Sequence, residues 1–302
     1  MRVALFGKNG QLGFEFEKLL KCRCELLALG RADEGGDLND LKGLVTRLHS
    51  FSPDVVINAA AYTAVDLAQT HEQEARQINA LAPSEMATYC SQTGALLVHF
   101  STDYVFSGNG SDPWTEEDLC NPQNVYGQTK FEGEQLIKQA DCKHLIFRTS
   151  WVYSEHGKNF MKTILRLAQT KESLNVVDDQ VGAPTSAPFL AKHAHKMIRI
   201  LQSGREDLCG IYHLVPDGEV SWCGFARWIV QNAKDFGAEL RLEPSSISPI
   251  STEEYSTPAV RPLNSRLSNA KIKSVFGAES FRTWDREATA VLTKLLAEQR
   301  FN

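Results

Sequence analysis

Hydrophobic positions in the first half of the chain follow two alternating patterns. Apolar runs of strand length occur at 3–6, 26–29, 55–58, 96–100 and 145–148. Stretches with helical spacing of apolar residues separate several of these runs, near 11–20, 72–93 and 124–140. Strands that alternate with helices are typical of a parallel sheet covered by helices on both faces. The sequence therefore predicts an α/β fold with a doubly wound parallel sheet.

This regular alternation weakens after about residue 150. Amphipathic segments near 157–170, 187–203 and 222–236 are mixed with short β-like pieces at 174–177 and 211–214. The Pro-, Ser- and Thr-rich stretch 244–262 is predicted to be irregular, and a last helix is expected over 282–299. We therefore expect a main domain at 1–150 and a smaller, interleaved lobe at 151–302, with segments that return to the main domain.

Composition and charge exclude several classes of protein. With 42% hydrophobic and 23% charged residues the chain has an ordinary globular composition. The formal charge of −5 and the absence of a Lys/Arg run argue against a nucleic-acid partner. The apolar run at the start is too short for a signal sequence or a membrane span, so we expect a cytoplasmic protein without a membrane partner.

Cysteine and histidine spacing gives no sign of a metal site. The seven cysteines include no C-x-x-C pair and no zinc-like spacing, so we interpret them as reduced thiols. His193 and His195 lie two positions apart in a predicted helix and therefore point to different faces. No bound metal is expected.

A glycine-rich loop follows the first predicted strand, with glycines at Gly7, Gly10 and Gly13. Glycines at this spacing permit a tight turn, and they let backbone N–H groups and a helix N-terminus approach a pyrophosphate. A simple turn is the alternative. Because the loop lies between a strand and an apolar-periodic helix, we expect a dinucleotide-binding, Rossmann-type domain over 1–150.

The end of the second predicted strand bears on the choice of cofactor. Rossmann sites that prefer NAD usually place an acidic side chain there, whereas this chain has Gly30 and Arg31. A guanidinium suits a 2′-phosphate, so we expect Arg31 to favour NADPH. Two alternatives stay open: Asp33 and Glu34 follow closely and could replace the missing acid, and Arg31 could be a solvated loop cation.

A tyrosine and a lysine four positions apart form the most specific signal. Tyr126 and Lys130 share one face of a predicted helix. An adjacent ammonium should lower the pKa of the phenol, so that Tyr126 can give its proton to a developing alkoxide. Thr102 lies at the carboxyl end of the fourth strand, where its hydroxyl could hold a substrate carbonyl. The alternative is a chance pair on a helix surface.

Motifs spread over nearly the whole chain carry a resemblance to a known family. They lie at 7–13, 58–66, 101–106, 124–130, 147–153, 179–185 and 261–267. In these segments the chain resembles the extended short-chain dehydrogenase/reductases and, among them, the dTDP-4-dehydrorhamnose reductase family. The resemblance implies reduction of the 4-keto group of dTDP-4-dehydro-L-rhamnose, a dTDP-4-keto-6-deoxysugar, by NADPH. Acceptance of NADH is left open.

The resemblance also implies roles for particular residues. Those expected to bind the cofactor are Gly10, Gln11 and Leu12 at the pyrophosphate, Asp37 and Leu38 at the adenine side, and Ala61, Tyr62 and Thr63 beyond the third strand. Tyr126 would donate the proton, and Lys130 would bind the nicotinamide ribose. Thr102 and Asp103 would hold the sugar, and Trp151 would pack on it.

Two arginines near the end of the motif series remain open in their interpretation. Arg261 and Arg266 could offset the charge of the substrate diphosphate. Alternatively, Arg266 begins a helix and pairs with surface acids, as most arginines do.

The chain departs from some family members at a magnesium site between subunits. Glu15 is present, but Pro188 and Phe189 stand where carboxylates would be needed, and Mg²⁺ requires oxygen ligands. We therefore expect no Mg²⁺ and a monomer or weak homodimer. Two other functions stay open: a related nucleotide-sugar epimerase or dehydratase, and a non-catalytic, NADP-binding regulatory subunit.

Overall fold

The computed structural model describes residues 1–298. Its strands are β1 (Arg2–Phe6), β2 (Glu25–Leu29), β3 (Val55–Asn58), β4 (Leu96–Thr102), β5 (His144–Thr149), β6 (Val152–Tyr153), β7 (Leu174–Val177), β8 (Val181–Gly182), β9 (Thr185–Ser186), β10 (Gly210–His213), β11 (Val220–Ser221), β12 (Ile247–Ile250) and β13 (Asn264–Ser265).

Helices cover the faces of the sheet and form most of the second lobe. They are α1 (Gln11–Leu20), α2 (Leu41–Phe51), α3 (Val65–Ala68), α4 (Glu72–Arg76), α5 (Ala82–Thr93), α6 (Val125–Gln139), α7 (Phe160–Thr170), α8 (Ala187–Gln202), α9 (Trp222–Asp235), α10 (Ala270–Phe276) and α11 (Trp284–Ala297). A π-helical turn, Gln77–Leu81, joins α4 directly to α5.

The main sheet has six parallel strands in the order β10-β5-β4-β3-β1-β2. The predicted doubly wound sheet is confirmed. After β1 the chain adds β2 on one side, and β3 then pairs with the other side of β1. The strand order therefore reverses at β1, and the crevice at such a point is where open α/β sheets bind ligands.

The apolar runs of the sequence correspond to strands that are buried on both faces. All of β3 and β4 is buried, as expected for parallel strands with helices above and below. Phe16 of α1 and Leu190 of α8 pack on one face, and Leu44 of α2 and Met86 of α5 pack on the other. Each large side chain buried in this way contributes about 1.5 to 3 kcal/mol.

The second lobe has its own core, and some of its chain returns to the main sheet. Helices α7, α9 and α11 bury Met161, Phe225 and Leu292 together. Three small sheets lie beside them, in the orders β11-β8-β13, β12-β7 and β6-β9. In contrast, α8 packs in the core of the main domain, and β10 extends the main sheet with Tyr212 opposite Phe147.

The prediction that 244–262 is irregular was wrong in part. Residues Ile247–Ile250 form β12, which pairs in parallel with β7. Ile247 is fully buried in the core of the lobe, and Pro249 is tolerated because the strand is an edge with one partner. Burial of one isoleucine therefore outweighed the turn-forming composition.

Three further expectations concern the chain as a whole. The last helix ends at Ala297, and residue 299, where it was predicted to end, lies outside the described residues. All seven cysteines are free thiols. Over residues 1–298, no helix combines the length and the apolar character that crossing a membrane requires.

Candidate active site

The glycine-rich loop between β1 and α1 has a backbone that only glycine permits at two points. Gly7 has φ +89°, and a Cβ there would lie 2.7 Å from the backbone nitrogen of Ala60. A Cβ on Gly13 would lie 2.0 Å from the carbonyl oxygen of Gly7. Gly10 precedes α1 and has no side chain to cap it, so the first N–H groups of the helix are available to an anion.

A cavity of about 700 Å³ opens above this loop at the carboxyl edge of the sheet. Twelve of the predicted cofactor residues line it: Gly7, Gly10, Gln11, Leu12, Arg31, Asp37, Leu38, Ala61, Tyr62, Thr63, Tyr126 and Lys130. The remaining one, Gly13, lies behind the loop against Gly7 and does not line the cavity. The structure thus brings the loop and the Tyr/Lys pair to one cavity.

Arg31 lies at one end of the cavity between two carboxylates. Its guanidinium is 3.6 Å from Asp37 and 3.7 Å from Glu74, and its side chain is 73% exposed. Asp33 is engaged elsewhere, because it accepts from the N–H of Gly30 at 2.7 Å and pairs with Lys8 at 2.7 Å. Because neither carboxylate partner of Arg31 is buried, its guanidinium can turn toward a phosphate.

Tyr126 sits in the first turn of α6, and that turn is fixed by capping. The side chain of Asn124 accepts from the N–H of Gly127 at 2.8 Å and donates to the carbonyl of Val260 at 2.7 Å. The ring of Tyr126 meets that of Tyr104 edge to face at 5.4 Å. The phenol is therefore presented to the cavity from a rigid helix terminus.

Lys130 is buried one turn further along α6, with 1% of its surface exposed. Its Nζ donates to the carbonyl oxygen of Phe100 at 2.6 Å and lies 3.1 Å from Nε2 of His99. Burial lowers the pKa of Lys130 to about 8, and the nearby carboxylate of Glu134 acts in the opposite direction. The contacts with Phe100 and His99 hold the amine against β4.

The expected lowering of the Tyr126 pKa by Lys130 is not what the structure gives. Burial raises the pKa of Tyr126, and a hydrogen bond with Thr102 opposes this only in part. The physical reason is that removing a phenolate from water costs more free energy than the hydrogen bond with Thr102 contributes. Tyr126 is therefore a protonated phenol at neutral pH, as a proton donor must be.

Thr102 and Asp103 form a hydrogen-bonded pair at the end of β4. The hydroxyl of Thr102 donates to Oδ1 of Asp103 at 3.0 Å and accepts from the N–H of Tyr104 at 3.2 Å. Asp103 is 2% exposed, and its Oδ2 has no hydrogen-bond partner among the described residues. Burial raises the pKa of Asp103 to about 6.

Trp151 has a strained backbone and a partner that the sequence did not indicate. It adopts φ +51°, a left-handed conformation that is rare for bulky residues. Its indole stacks on that of Trp222 with centroids 3.7 Å apart. Neither Trp151 nor Thr102, Asp103 or Arg261 lines the 700 Å³ cavity itself.

Both arginines of the last motif are held by acidic side chains. Arg261 pairs with Asp66 at 2.6 Å, and its other nitrogen is 3.5 Å from the hydroxyl of Tyr104. Arg266 pairs with Glu219 at 2.8 Å. Arg266 follows β13 and does not begin a helix, because its backbone bonds with Trp114. The alternative interpretation was therefore wrong in placing Arg266 at the start of a helix, and it agrees with the structure in pairing Arg266 with an acidic side chain.

Comparison with known proteins gives the family. The chain matches the family described as RmlD substrate binding domain over residues 1–297. The dTDP-4-dehydrorhamnose reductase of Escherichia coli K12 is 42% identical over 278 residues, which cover 91% of this chain and 92% of that protein. The chain belongs to the dTDP-4-dehydrorhamnose reductase family. The resemblance expected from the motifs is confirmed.

Solved structures of the family share the whole fold. A dTDP-4-dehydrorhamnose reductase from Clostridium acetobutylicum is 35% identical with a TM-score of 0.89, over 98% of this chain and 99% of that one. The Bacillus anthracis reductase, in complex with NADP, is 31% identical with a TM-score of 0.88, over 97% and 99% of the two chains. Enzymes of this family are oxidoreductases.

Glu15, which the resemblance placed at the magnesium site of some relatives, is buried within the subunit here. It is 6% exposed on α1, and burial raises the pKa of its carboxyl. Phe189 is buried against the rings of His193 and Phe281. A carboxylate at position 189 would therefore have to face the core. The absence of Mg²⁺ stays a prediction.

Sequence reasoning missed residues that connect the parts of this family's site. Asn79, in the π-helical turn, bonds both Tyr62 and Thr129. Asn159, which was also missed, donates to the predicted cofactor residue Gln11 at 3.0 Å, and Gln11 donates to the carbonyl of Val152 at 3.3 Å, which ties the glycine-rich loop to the second lobe. The available signal was an asparagine inside an apolar helical run, where a polar residue needs internal partners.

Proposed function

We propose that this chain reduces the 4-keto group of dTDP-4-dehydro-L-rhamnose with NADPH and forms dTDP-L-rhamnose. The observation that carries the proposal is that Tyr126 and Lys130 line the same cavity as the glycine-rich loop. Family membership supports the substrate, since the relatives at about 40% identity are named for it.

The residues of the cavity fit a dinucleotide. Gly7 and Gly13 let the loop pack directly on neighbouring backbone, and the uncapped N-terminus of α1 faces the cavity at Gly10, where it can bind a pyrophosphate. Ser101 and Thr149 line the cavity with buried hydroxyl oxygens that lack partners in the described part of the chain. Such groups normally have one, so they suit the polar groups of a bound cofactor.

In the proposed reduction, the cofactor, Tyr126 and Lys130 have separate roles. When bound, NADPH supplies the hydride that reduces the carbonyl carbon. Tyr126 gives its O–H proton to the carbonyl oxygen as that oxygen becomes an alkoxide, a stronger base than a phenolate. Lys130 keeps one N–H directed to Phe100 and offers another to the cavity.

Thr102 and Asp103 are proposed to orient the sugar oxygen beside Tyr126. The Thr102 hydroxyl now donates to Asp103, so its hydrogen must turn away from Asp103 before it can bond a substrate carbonyl. We further propose that 1–150 supply the cofactor side and 151–302 mainly the substrate side, with Trp151 and Arg261 among the latter. We also propose a cytoplasmic location, because the reaction uses a nucleotide sugar and NADPH. A monomer or weak homodimer is proposed because Pro188 and Phe189 replace the carboxylates of a magnesium site between subunits.

The test is incubation with NADPH and dTDP-4-dehydro-L-rhamnose, with cofactor oxidation followed by absorbance and the product identified by NMR. One NADPH oxidised per dTDP-L-rhamnose formed is the expected result. Conversion of the sugar without net oxidation would indicate an epimerase or dehydratase instead. Tight NADPH binding without turnover of any 4-keto sugar would indicate a regulatory subunit.

A further inference from the structure

A chain of hydrogen-bonded polar groups leads from Ala60, which follows β3 and lines the cavity, to Lys130. The backbone N–H of Ala60 donates to Oδ1 of Asn58 at 3.1 Å. Nδ2 of Asn58 lies 3.1 Å from Nδ1 of His99, and Nε2 of His99 lies 3.1 Å from Nζ of Lys130. All three side chains are at most 1% exposed, so water does not replace any of these contacts.

The hydrogen bond from Ala60 to Asn58 fixes the direction of the other hydrogen bonds in the chain. A backbone N–H is always a donor, so the Asn58 oxygen must face Ala60 and the Asn58 NH₂ must face His99. Nδ1 of His99 must then accept, which places the ring proton on Nε2. That proton points at Lys130. A fully protonated ammonium has no lone pair to accept it, whereas a neutral amine has one.

We propose that His99 is a positioning residue that stabilises the neutral amine form of Lys130 relative to its ammonium in the free protein. Its Nε2–H donates to the Lys130 lone pair, while one N–H of the amine bonds Phe100 and the other faces the cavity. The alternative, an ammonium donating to His99, would require Asn58 to turn over and present its NH₂ to the N–H of Ala60. Two donors would then face each other in a partly buried site.

Other titratable groups lie near Lys130 and His99 and affect the charge of the lysine. Glu134, one turn along α6, favours the ammonium, but its carboxylate is already in a buried ion pair with Arg148 of β5 at 2.7 Å. Tyr126 on the same helix is a neutral phenol. Burial lowers the pKa of both Lys130 and His99, so each group gives up its charge at a lower pH than it would in water.

The catalytic consequence rests on the proposed reduction. An ammonium at Lys130 stabilises the phenolate that Tyr126 leaves behind, so turnover should fall as pH rises through the Lys130 pKa of about 8. His99 therefore sets the pH at which activity falls on the alkaline side of the pH profile, here called the basic limb. Any change that lets Nε2 accept should move the limb to higher pH.

Asn58→Asp is the sharpest test because it reverses the chain with almost no change in shape. One carboxylate oxygen still accepts from Ala60, but the other now accepts from Nδ1–H of His99. Nε2 then becomes an acceptor for a Lys130 ammonium. His193→Gln is the matched control, since the ring nitrogens of this buried histidine of α8 lie 2.8 Å and 3.2 Å from the backbone carbonyl oxygens of Phe189 and Ser280.

Two NMR measurements on the free protein decide the proposal without reference to activity. ¹⁵N spectra of the histidines should show His99 neutral and protonated at Nε2 in the native protein, and at Nδ1 in Asn58→Asp. ¹³C titration of the lysines should show the Lys130 pKa rising by at least about one unit in that variant and unchanged in His193→Gln. A native Nδ1–H tautomer, or a Lys130 titration insensitive to Asn58→Asp, would overturn it.

The pH profile of kcat/KM then tests the link to catalysis. The basic limb should shift upward with Asn58→Asp and, by about half a unit to one unit, with His99→Gln, whose amide oxygen can accept from an ammonium. Unchanged limbs despite the expected NMR result would overturn only the catalytic link. Absence of reductase activity in the native protein would instead contradict the proposed function and leave the NMR result standing.

Discussion

Asn79 bonds both backbone polar groups of Tyr62. Its Oδ1 accepts from the Tyr62 N–H at 2.9 Å, and its Nδ2 donates to the Tyr62 carbonyl at 3.2 Å. The same amide lies 3.1 Å from Oγ1 of Thr129, which in turn donates to the Tyr126 carbonyl at 3.0 Å. One buried side chain therefore joins the loop that lines the cofactor cavity to the helix that carries the phenol.

Asn79→Ala should loosen both attachments at once. Because it leaves the partly buried backbone groups of Tyr62 unpaired, we expect a loss of about 1 to 3 kcal/mol in the free energy of unfolding, measured by urea denaturation. The KM for NADPH should rise as the loop at Tyr62 becomes mobile. Gln92→Ala, an exposed change on α5, is a suitable control. An unchanged KM in a folded Asn79 variant would mean that the loop is fixed by other contacts.

Tyr126→Phe should remove the proton donor and leave the cavity otherwise intact. The phenol is the proposed proton donor, and general acid catalysis typically contributes about 10² to 10⁴ in rate. We therefore expect kcat to fall by about that factor, measured with saturating NADPH. The Kd for NADPH, measured by fluorescence titration, should change less than about threefold, since one hydroxyl contributes little to a large ligand. Unchanged turnover would exclude Tyr126 as the donor.

Glu74 should restrain the preference for NADPH. It competes with a 2′-phosphate for Arg31, and it lines the cavity itself, so its negative charge repels the phosphate. Glu74→Gln should therefore raise the ratio of kcat/KM for NADPH over NADH by about two- to fivefold, the range expected for an exposed charge. Arg31→Gln should lower the same ratio.

Glu72→Gln, an exposed change two positions away on α4, is the control for Glu74. It alters the net charge equally but does not line the cavity. An equal effect of both substitutions would point to long-range charge alone and would remove Glu74 from the set of specificity residues.

The sequence predicted the parts of this molecule that depend on local pattern. The buried strands β1, β3 and β4 appear as apolar runs because both of their faces meet helices. The glycine-rich loop was recognisable because steric demands at Gly7 and Gly13 leave no other residue possible. Glycine spacing and strand runs are therefore readable without knowledge of the rest of the chain.

What escaped prediction depends on contacts between distant segments. Glu74 meets Arg31 across 43 positions of sequence, and His99 meets Lys130 across 31. The direction of the Tyr126 pKa was misjudged for a related reason, since helical spacing gives the distance to Lys130 but not the burial of either group. Tertiary burial, which sets the cost of charge, has no local signature.

Asp103 should make the protein less stable as pH rises. Its folded pKa of about 6 lies above the ordinary 3.8, so the folded protein binds the proton more tightly than the unfolded chain. The stability that this provides is complete below about pH 4 and is lost as pH rises to about 6. Two units correspond to roughly 2 to 3 kcal/mol.

Asp103→Asn removes this titration while its amide oxygen still accepts from Thr102. Urea denaturation between pH 4 and pH 7 should therefore show the variant gaining about 2 to 3 kcal/mol relative to the native protein across that range. Asp112→Asn, at an exposed position, should keep a constant offset. A constant offset for Asp103→Asn as well would mean that the carboxyl is hydrated or paired in solution, and the burial of Asp103 beside Thr102 would have to be revised.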